Sequence, residues 1–156
     1  MKQRRETRNS LCSILYLFGI YLKPGSPSGG NPGKYSALLS KAISILEEER
    51  SFLKDDLTIT KLSRVTGTNR TYLSKAFNDS GTSFTEYINK LRVREAKRAI
   101  DRIIKTGNRP VISDISEISG FGSLRALNRC FKKAEGVTPA MYIKIEMAKF
   151  RRSQQV

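Results

Sequence analysis

Hydrophobic side chains recur every three or four residues in several stretches of this chain, a period typical of amphipathic helices. One such pattern occurs twice, from Leu62 to Ile88 and again from Ile115 to Ile143, 53 to 55 residues later. Serine, glycine, leucine and phenylalanine keep their order in both copies, at Ser63, Gly67, Leu73 and Phe77 and at Ser116, Gly120, Leu127 and Phe131. A small residue on one helix, a glycine four residues later and apolar positions on a following helix are typical of a helix-turn-helix. The sequence therefore predicts an all-α fold with two helix-turn-helix units.

The turn inside each copy is expected at its glycine. Gly67 and Gly120 stand where the first helix should end, and a positive φ there has little cost only for a residue without a β-carbon. We therefore expect both glycines to be structural turn residues. The following helix needs a capping side chain for its free amides. Thr68 is expected to cap it in the first copy, and Gly122 or Ser123 in the second.

The second helix of each copy presents polar side chains opposite its apolar positions. These candidate DNA-binding residues are Asn69, Arg70, Thr71, Ser74 and Lys75 in the first copy, and Ser123, Arg125, Asn128, Arg129 and Lys132 in the second. Arginine can bind guanine through two hydrogen bonds, and asparagine can bind adenine in the same way. The expected guanine readers are Arg70, Arg125 and Arg129, the expected adenine readers are Asn69 and Asn128, and the expected phosphate contacts are Lys75 and Lys132. A solvated helix face would explain one copy, but the repetition favours DNA contact.

The remaining pattern divides the chain into five parts, of which the first is a basic and apolar N-terminal segment with a flexible linker, residues 1–33. An apolar stripe from Tyr35 to Phe52 predicts a helix that belongs with the first unit, residues 34–82. A capping box of Ser83 and Glu86 begins a long linker helix, residues 83–106. Thr138 followed by Pro139 predicts the start of the last helix in the second unit, residues 107–150. A basic tail, 151–156, is expected to fray.

The chain begins with a basic stretch, residues 1–10, and an apolar stretch, residues 11–22, before a linker rich in glycine and proline. Twelve residues form a helix of roughly 18 Å, shorter than the bilayer core of about 30 Å, so this stretch is not a complete membrane span. Two interpretations stay open. Residues 11–22 are the last part of a membrane-spanning or sensory region, or a hydrophobic segment without a function.

The formal net charge of +15 and the pI near 10.2 favour a polyanionic partner. Charge alone does not separate DNA from RNA or from an anionic membrane. The absence of histidine excludes Ser-His-Asp and Cys-His catalysis and every histidine-ligated metal site. Cys12 and Cys130 are too few for a disulfide framework or a cysteine metal site. We therefore expect neither an enzyme nor a bound cofactor or metal.

Residues 35–149 resemble the DNA-binding region of the AraC/XylS family of bacterial transcription regulators. The second copy carries the most specific part of the resemblance, with the motifs Gly120-Phe121, Phe131-Lys132-Lys133, Gly136 and Thr138-Pro139-x-x-Tyr142. The run from Tyr72 to Ile100 matches the first motif and the linker helix of the family equally well. Two departures concern the site: Arg125-Ala126-Leu127 stands where the family commonly has Ser-aromatic-Phe, and Ile143 replaces a basic residue. Base preference is therefore not carried over from the family.

The resemblance implies two helix-turn-helix units joined by a long helix, each placing a recognition helix in a major groove of double-stranded promoter DNA. It also implies a regulator that usually activates transcription, often through contact with RNA polymerase. The small-molecule and dimerisation domain common in the family is not visible in this sequence. The apolar start instead resembles the remnant of a membrane-sensor version of the family.

The favoured hypothesis is a cytoplasmic, sequence-specific DNA-binding transcription regulator that binds two successive major grooves as a monomer. One alternative is the incomplete output module of a larger membrane-bound sensor regulator. Another, from a different class, is a peripheral protein of anionic membranes that uses residues 11–22 and its basic surface. The paired motifs argue against this last alternative, because membrane attachment requires neither copy.

A chain that begins at Lys34 is expected to bind the same DNA as the full chain, with similar affinity. The glycine- and proline-rich linker transmits little mechanical coupling from residues 1–22. The full chain should bind vesicles more strongly, because apolar side chains gain roughly 25 cal/mol per Å² on burial in a lipid interface. Mobility shifts and vesicle flotation measure the two effects. A shortened chain that fails to fold would show that the apolar segment packs into the first unit.

Overall fold

The computed structural model describes residues 32–155, and their helices account for all of the regular secondary structure in that range. The helices are α1 (Pro32–Glu48), a 3₁₀ helix (Ser51–Leu53), α2 (Ile59–Thr66), α3 (Arg70–Asp79), α4 (Phe84–Lys105), α5 (Ile112–Ile118), α6 (Leu124–Glu135) and α7 (Pro139–Ser153). The pair α2–α3 and the pair α5–α6 are the two predicted helix-turn-helix units. The predicted all-α fold is confirmed. The interpretations of residues 11–22 concern a stretch outside the described residues.

The described chain forms two compact units. The first contains residues 32–50 and 58–86, and the second contains residues 51–57 and 87–155. The change from one unit to the other therefore falls inside α4, which continues without a break. The sequence assigned residues 51–57 to the first unit, whereas these residues pack in the second.

In the first unit, α1 packs against both helices of the first helix-turn-helix. Apolar side chains of all three helices are buried, and they include Leu39, Ala42, Ile43, Leu46, Leu62, Leu73 and Phe77. The Lys41 ammonium donates to the carbonyl oxygen of Thr66 at 3.0 Å. A cation at the C-terminus of a helix is favourable because the last carbonyls there are free and carry a partial negative charge. Helix α1 thus supports the end of α2 directly.

Helix α1 is shorter than the apolar stripe indicated. The sequence predicted one helix through Phe52, but α1 ends at Glu48, and Arg50 adopts a positive φ of 49°. This left-handed residue redirects the chain, so that Phe52 is buried on the separate 3₁₀ helix instead. At the other end of the chain, α7 continues to Ser153, beyond Phe150, where fraying was expected.

In the second unit, α4 through α7 enclose one apolar core. Its buried members include Val93, Ala96, Ile100, Ile115, Leu127, Phe131 and Ile143. Tyr142 packs its ring edge-on against Phe131 at 5.4 Å. Burial raises the pKa of Tyr142 to about 12, and the acidic neighbours Asp101, Glu146 and Glu135 add to the shift. The hydroxyl therefore stays neutral through the physiological pH range.

The predicted start of α4 is present in the structure. The Ser83 amide donates to Glu86 Oε2 at 3.4 Å, and the Glu86 amide donates to Ser83 Oγ at 3.2 Å, which is a capping box. The helix then runs for 22 residues, a length of about 33 Å. It ends as expected before Gly107, whose φ is 78°.

Both helix-turn-helix turns are built in the same way. Gly67 has a φ of 74° and Gly120 a φ of 75°. In the first turn, Gly67 N donates to Arg64 O at 3.1 Å and Thr68 N to Ser63 O at 2.9 Å. The corresponding bonds of the second turn, from the amides of Gly120 and Phe121, are 3.0 and 2.9 Å long. This pair of bonds is the Schellman arrangement, which ends a helix with a left-handed residue.

The surroundings of the two glycines differ. A Cβ atom at Gly67 would have no neighbour within 4 Å, whereas one at Gly120 would lie 2.5 Å from the Leu53 carbonyl oxygen and 2.7 Å from its Cα. Two features therefore favour glycine at position 120, the positive φ and the close approach of the Leu53 backbone. At position 67 only the positive φ favours glycine.

Alanine should consequently be tolerated better at Gly67 than at Gly120. We expect Gly67→Ala to lower the free energy of unfolding by about 1–2 kcal/mol, the cost of a left-handed β-carbon. Gly120→Ala should lower it by roughly 1–3 kcal/mol more, because the Leu53 backbone must move. Urea unfolding of the two variants measures the difference. Equal losses would contradict the close packing of Leu53 on Gly120.

Candidate nucleic-acid interface

A polar side chain caps the second helix of each pair. Asn69 Oδ1 accepts a hydrogen bond from the Tyr72 amide at 2.9 Å, so α3 begins at Arg70. The prediction that Thr68 is the cap is wrong. Thr68 still belongs to the preceding turn, through its amide hydrogen bond to Ser63, and the residue directly before α3 is Asn69. In the second copy Ser123 Oγ accepts from the Ala126 amide at 3.2 Å, which selects Ser123 over Gly122.

The five candidate residues of the first copy do not share one open face. Asn69, Arg70 and Thr71 are exposed, whereas Ser74 and Lys75 are half-buried. The Lys75 ammonium lies 5.2 Å from the centre of the Tyr35 ring, in a cation–π contact. Helix α1 packs against α3 near Lys75. The exposed candidate residues of the first copy are therefore those at the N-terminal end of α3.

The candidate residues of the second copy form a continuous exposed surface. Ser123, Arg125, Asn128, Arg129 and Lys132 are all exposed. Spacings of three and four residues place the last four on one side of α6. The opposite side carries Leu127 and Phe131, which are fully buried. The apolar and polar sides of α6 are therefore as cleanly divided as the sequence predicted.

The exposed cations of the two recognition helices keep their charge uncompensated. Arg70, Arg125, Arg129 and Lys132 have no ion-pair or hydrogen-bond partner among residues 32–155. The only carboxylate of α6 is Glu135, and it pairs with Lys97 at 2.7 Å. The free amides at the start of each helix add partial positive charge. This arrangement attracts anions such as phosphate groups.

Two exposed apolar residues near the helix starts were not among the candidate residues. Tyr72 is 45% exposed on α3, and Leu124 is 47% exposed as the first residue of α6. Leu124 lies between Ser123 and Arg125, so any partner of Arg125 passes close to it. Apolar side chains in a major groove contact the methyl group of thymine. The outward position of Leu124 was evident from its helical spacing, but its apolar character concealed its relevance.

Arg92 of α4 is the functional candidate that sequence reasoning missed entirely. Its Nε donates to the Phe52 carbonyl oxygen at 2.7 Å, and its Nη2 donates to the Lys54 carbonyl oxygen at 2.8 Å. Its guanidinium also lies 6.0 Å from the centre of the Phe121 ring. Burial lowers the pKa of Arg92, and the nearby Asp55 carboxylate opposes that shift. Nothing in the local sequence distinguishes Arg92 from the other basic residues of α4.

The described residues hold neither a metal site nor a membrane span. In the range 32–155, acidic and cysteine side chains do not gather into a group of three that could hold a metal ion. No helix in that range is both long enough and apolar enough to cross a bilayer.

The fold and its exposed basic helices define the class of paired helix-turn-helix proteins. A family model described as a helix-turn-helix domain matches residues 62–145, which is more than half of the chain. The match contains both copies of the motif and the whole of α4. The chain belongs to the AraC/XylS family of helix-turn-helix proteins.

Relatives of known sequence are much longer than the matching region. An uncharacterized helix-turn-helix-type transcriptional regulator of Staphylococcus aureus strain MSSA476 is 33% identical over 89 residues, covering 56% of this chain and 11% of that protein. The uncharacterized regulator YtdP of Bacillus subtilis strain 168 is 29% identical over 110 residues, covering 70% of this chain and 13% of YtdP. This chain thus spans only a small part of the relatives that it matches.

Solved structures show the same fold. The C-terminal domain of the response regulator AraT from Geobacillus stearothermophilus superposes with a TM-score of 0.60 at 24% identity, covering 70% of this chain and 86% of that domain. The DNA-binding domain of AdpA, solved in complex with a target DNA, gives a TM-score of 0.60 at 19% identity, with coverage of 71% and 94%. The C-terminal domain of the response regulator YesN from Fusobacterium nucleatum gives 0.56 at 26% identity, with coverage of 67% and 95%.

The cap at Asn69 allows its structural and binding roles to be separated. Asn69→Ala should lower the free energy of unfolding by about 1 kcal/mol, because the Tyr72 amide loses its acceptor. Asn69→Ser should retain the cap and the stability but lose the amide group needed to bind adenine. Thermal melting and competition binding measure the two effects, with Thr68→Ala as the control. An unchanged melting temperature in Asn69→Ala would contradict the capping role.

Proposed function

We propose that this chain is a sequence-specific transcription regulator that binds double-stranded promoter DNA with α3 and α6 as recognition helices. One observation carries the proposal. Two helix-turn-helix units share the same glycine turn, and on the helix after each turn exposed cations have no partner among residues 32–155: Arg70 on α3, and Arg125, Arg129 and Lys132 on α6. Membership of the AraC/XylS family supports the proposal. The likeness to AdpA, whose DNA-binding domain was solved on a target DNA, is consistent with it at the level of the fold.

The structure separates the proposed base readers by their position. On α6, Arg125 and Arg129 are proposed to bind guanine, Asn128 adenine and Lys132 a phosphate, since all four are exposed on one side. On α3, Arg70 is the proposed guanine reader, and Asn69 offers its amide N–H groups while its oxygen caps the helix. Thr71 and Ser123 stand beside these readers at the helix starts, where backbone phosphates commonly bind.

Lys75 and Ser74 have a smaller proposed role than the sequence indicated. Tyr35 covers part of Lys75, so Lys75 can meet a phosphate only at the border of the interface. We therefore propose that the first unit contributes a short contact through the start of α3 and that the second contributes a longer contact along α6.

One chain is proposed to occupy two successive major grooves as a monomer. Such grooves on one face of DNA recur about every 34 Å, and both helix-turn-helix units belong to one chain that passes from the first unit to the second within the unbroken helix α4. The site would then be asymmetric, because the two recognition helices present different residues. Activation of transcription through contact with RNA polymerase, and a cytoplasmic location, are further proposals that rest on family resemblance.

A second candidate function is the DNA-binding output part of a larger membrane-bound sensor regulator. The matching regions make up 11% of the Staphylococcus aureus relative and 13% of YtdP. In those proteins this fold is thus one part of a long chain. The two candidate functions use the same contacts with DNA. They differ only in the signal that would control DNA binding.

Replacement of a base reader should relax the sequence preference at one position. Selection of bound sites from random duplexes should yield a consensus for the native chain. Arg70→Ala and Arg125→Ala should each lose about 1–3 kcal/mol of binding free energy and one preferred base pair, at different places in the site. Arg152→Ala, at an exposed residue in the last turn of α7, is the control and should keep every preference. An unchanged consensus in both recognition-helix variants would refute the assignment of readers.

Stoichiometry tests the monomer proposal separately. Sedimentation of the native chain on the selected duplex should give one chain per minimal site. Two chains per minimal site would contradict it and would indicate that each half of the site belongs to a different copy.

A further inference from the structure

Residues 51–57 connect α1 to α2 along the chain, yet they pack in the second unit. They approach the second helix-turn-helix closely at Gly120, where the Leu53 backbone leaves no space for a side chain. Phe121, the next residue, is buried. The turn that precedes α6 is therefore in contact with a segment far away in the sequence.

Arg92 binds both partners of this contact at once. Its two hydrogen bonds reach the carbonyl oxygens of Phe52 and Lys54, and its planar group lies over the ring of Phe121. A guanidinium group has donors in a fixed planar fork and a face that stacks on aromatic rings, so one arginine can set the relative position of three groups. Arg92 is part-buried at these contacts, where hydrogen bonds are stronger than in water.

The turn held in this way leads directly into the second recognition helix. Helix α6 begins at Leu124, three residues after Phe121, and Ser123 caps it. A change in the backbone at Gly120 or Phe121 changes the direction in which α6 leaves the turn. The apolar side of α6 is held separately, by Leu127 and Phe131 in the core of the second unit. The contacts of Arg92 are therefore separate from the apolar contacts that keep α6 folded.

The first helix-turn-helix lacks an equivalent arrangement in the described structure. Lys41 donates one hydrogen bond to Thr66 beside the turn, and the space next to Gly67 is open. The second turn is held by the two hydrogen bonds of Arg92, its contact with the Phe121 ring and the close approach of the Leu53 backbone. The two turns thus share a backbone conformation but differ in the contacts that surround them.

We propose that Arg92 is a positioning residue for DNA recognition, which sets the direction of α6 by holding the Phe121 turn against residues 52–54. This inference rests on the proposed DNA-binding function. It has a consequence for regulation: a displacement of the segment between α1 and α2 would change how α6 meets its bases. Arg92 itself need not touch DNA.

The experiment compares Arg92→Gln and Arg92→Lys with the native chain, in full-length protein and at a temperature where circular dichroism shows each variant fully folded. Arg98→Gln is the matched control, since Arg98 lies on the same helix with an exposed side chain, and its 3.9 Å ion pair with the buried Glu95 leaves the shorter pair of Glu95 with Arg102 in place. Competition against duplexes with single base-pair changes gives the discrimination at every position. The base pairs that lose discrimination in Arg125→Ala identify the half-site read by α6.

We expect Arg92→Gln to lose about tenfold in discrimination at the base pairs read by α6, a loss comparable to that of one base contact. Discrimination at the base pairs read by α3 should not change. Arg92→Lys should fall between native and Arg92→Gln, because an ammonium group keeps the charge without the planar fork. Arg98→Gln should match the native chain in both half-sites.

Two results would overturn the inference by itself. A folded Arg92→Gln that keeps its discrimination and only melts at lower temperature would show a purely stabilising role. Equal losses in both half-sites would show a general effect on binding. If Arg92→Gln does not fold, the same comparison is made with Arg92→Lys. A loss of discrimination only at the base pairs read by α6 supports the inference, and no loss or equal losses in both half-sites overturn it. A native chain that selects no consensus would instead refute the proposed function, and the inference with it.

Discussion

The direction of each recognition helix depends on a left-handed glycine that ends the helix before it. At Gly67 and Gly120 the chain turns in a single residue, and two backbone hydrogen bonds fix the amides on either side. A side chain then caps the next helix within three residues. Because the connection is so short, a contact at the turn lies close to the start of the second helix. In the first unit Lys41 makes one hydrogen bond to the end of α2, and in the second Arg92 is the residue that we propose holds the turn.

The two copies share a backbone but offer different surfaces. In the first, α1 covers the later part of α3 through the contact of Tyr35 with Lys75, which leaves the N-terminal turn open. In the second, the whole outer side of α6 is open and carries three cations without partners among the described residues. The duplicated motif therefore offers two unequal surfaces, and under the proposed function these surfaces would fit an asymmetric DNA site better than a palindrome.

Features set by neighbouring residues could be predicted from the sequence. The two helix-turn-helix units, the Ser83–Glu86 capping box and the start of α7 at Thr138–Pro139 all depend on residues within four positions of one another. The cap of α3 was misplaced by one residue, since Thr68 and Asn69 are both good capping residues and only the geometry of the turn decides between them. The exposure of the α6 candidates also followed from its period.

Features set by distant residues could not be predicted. Arg92 and its acceptor Phe52 are 40 positions apart, and the partial burial of Lys75 depends on Tyr35, again far away in the chain. The end of α1 has no glycine or proline to mark it, because the left-handed residue there is Arg50. These contacts change the candidate site most, because they cover part of the outer side of α3 and single out Arg92, the proposed positioning residue, outside both motifs.

We propose that one chain reads DNA with two recognition helices, α3 and α6, whose contact surfaces differ in length. Hydroxyl-radical footprinting of the native chain on its selected duplex tests this claim most directly, because it reports each protected stretch of backbone. We expect two protected stretches on one face of the duplex, about 10 base pairs apart. The longer stretch should contain the base pairs at which Arg125→Ala loses discrimination. A single protected stretch, or protection that does not depend on sequence, would contradict it.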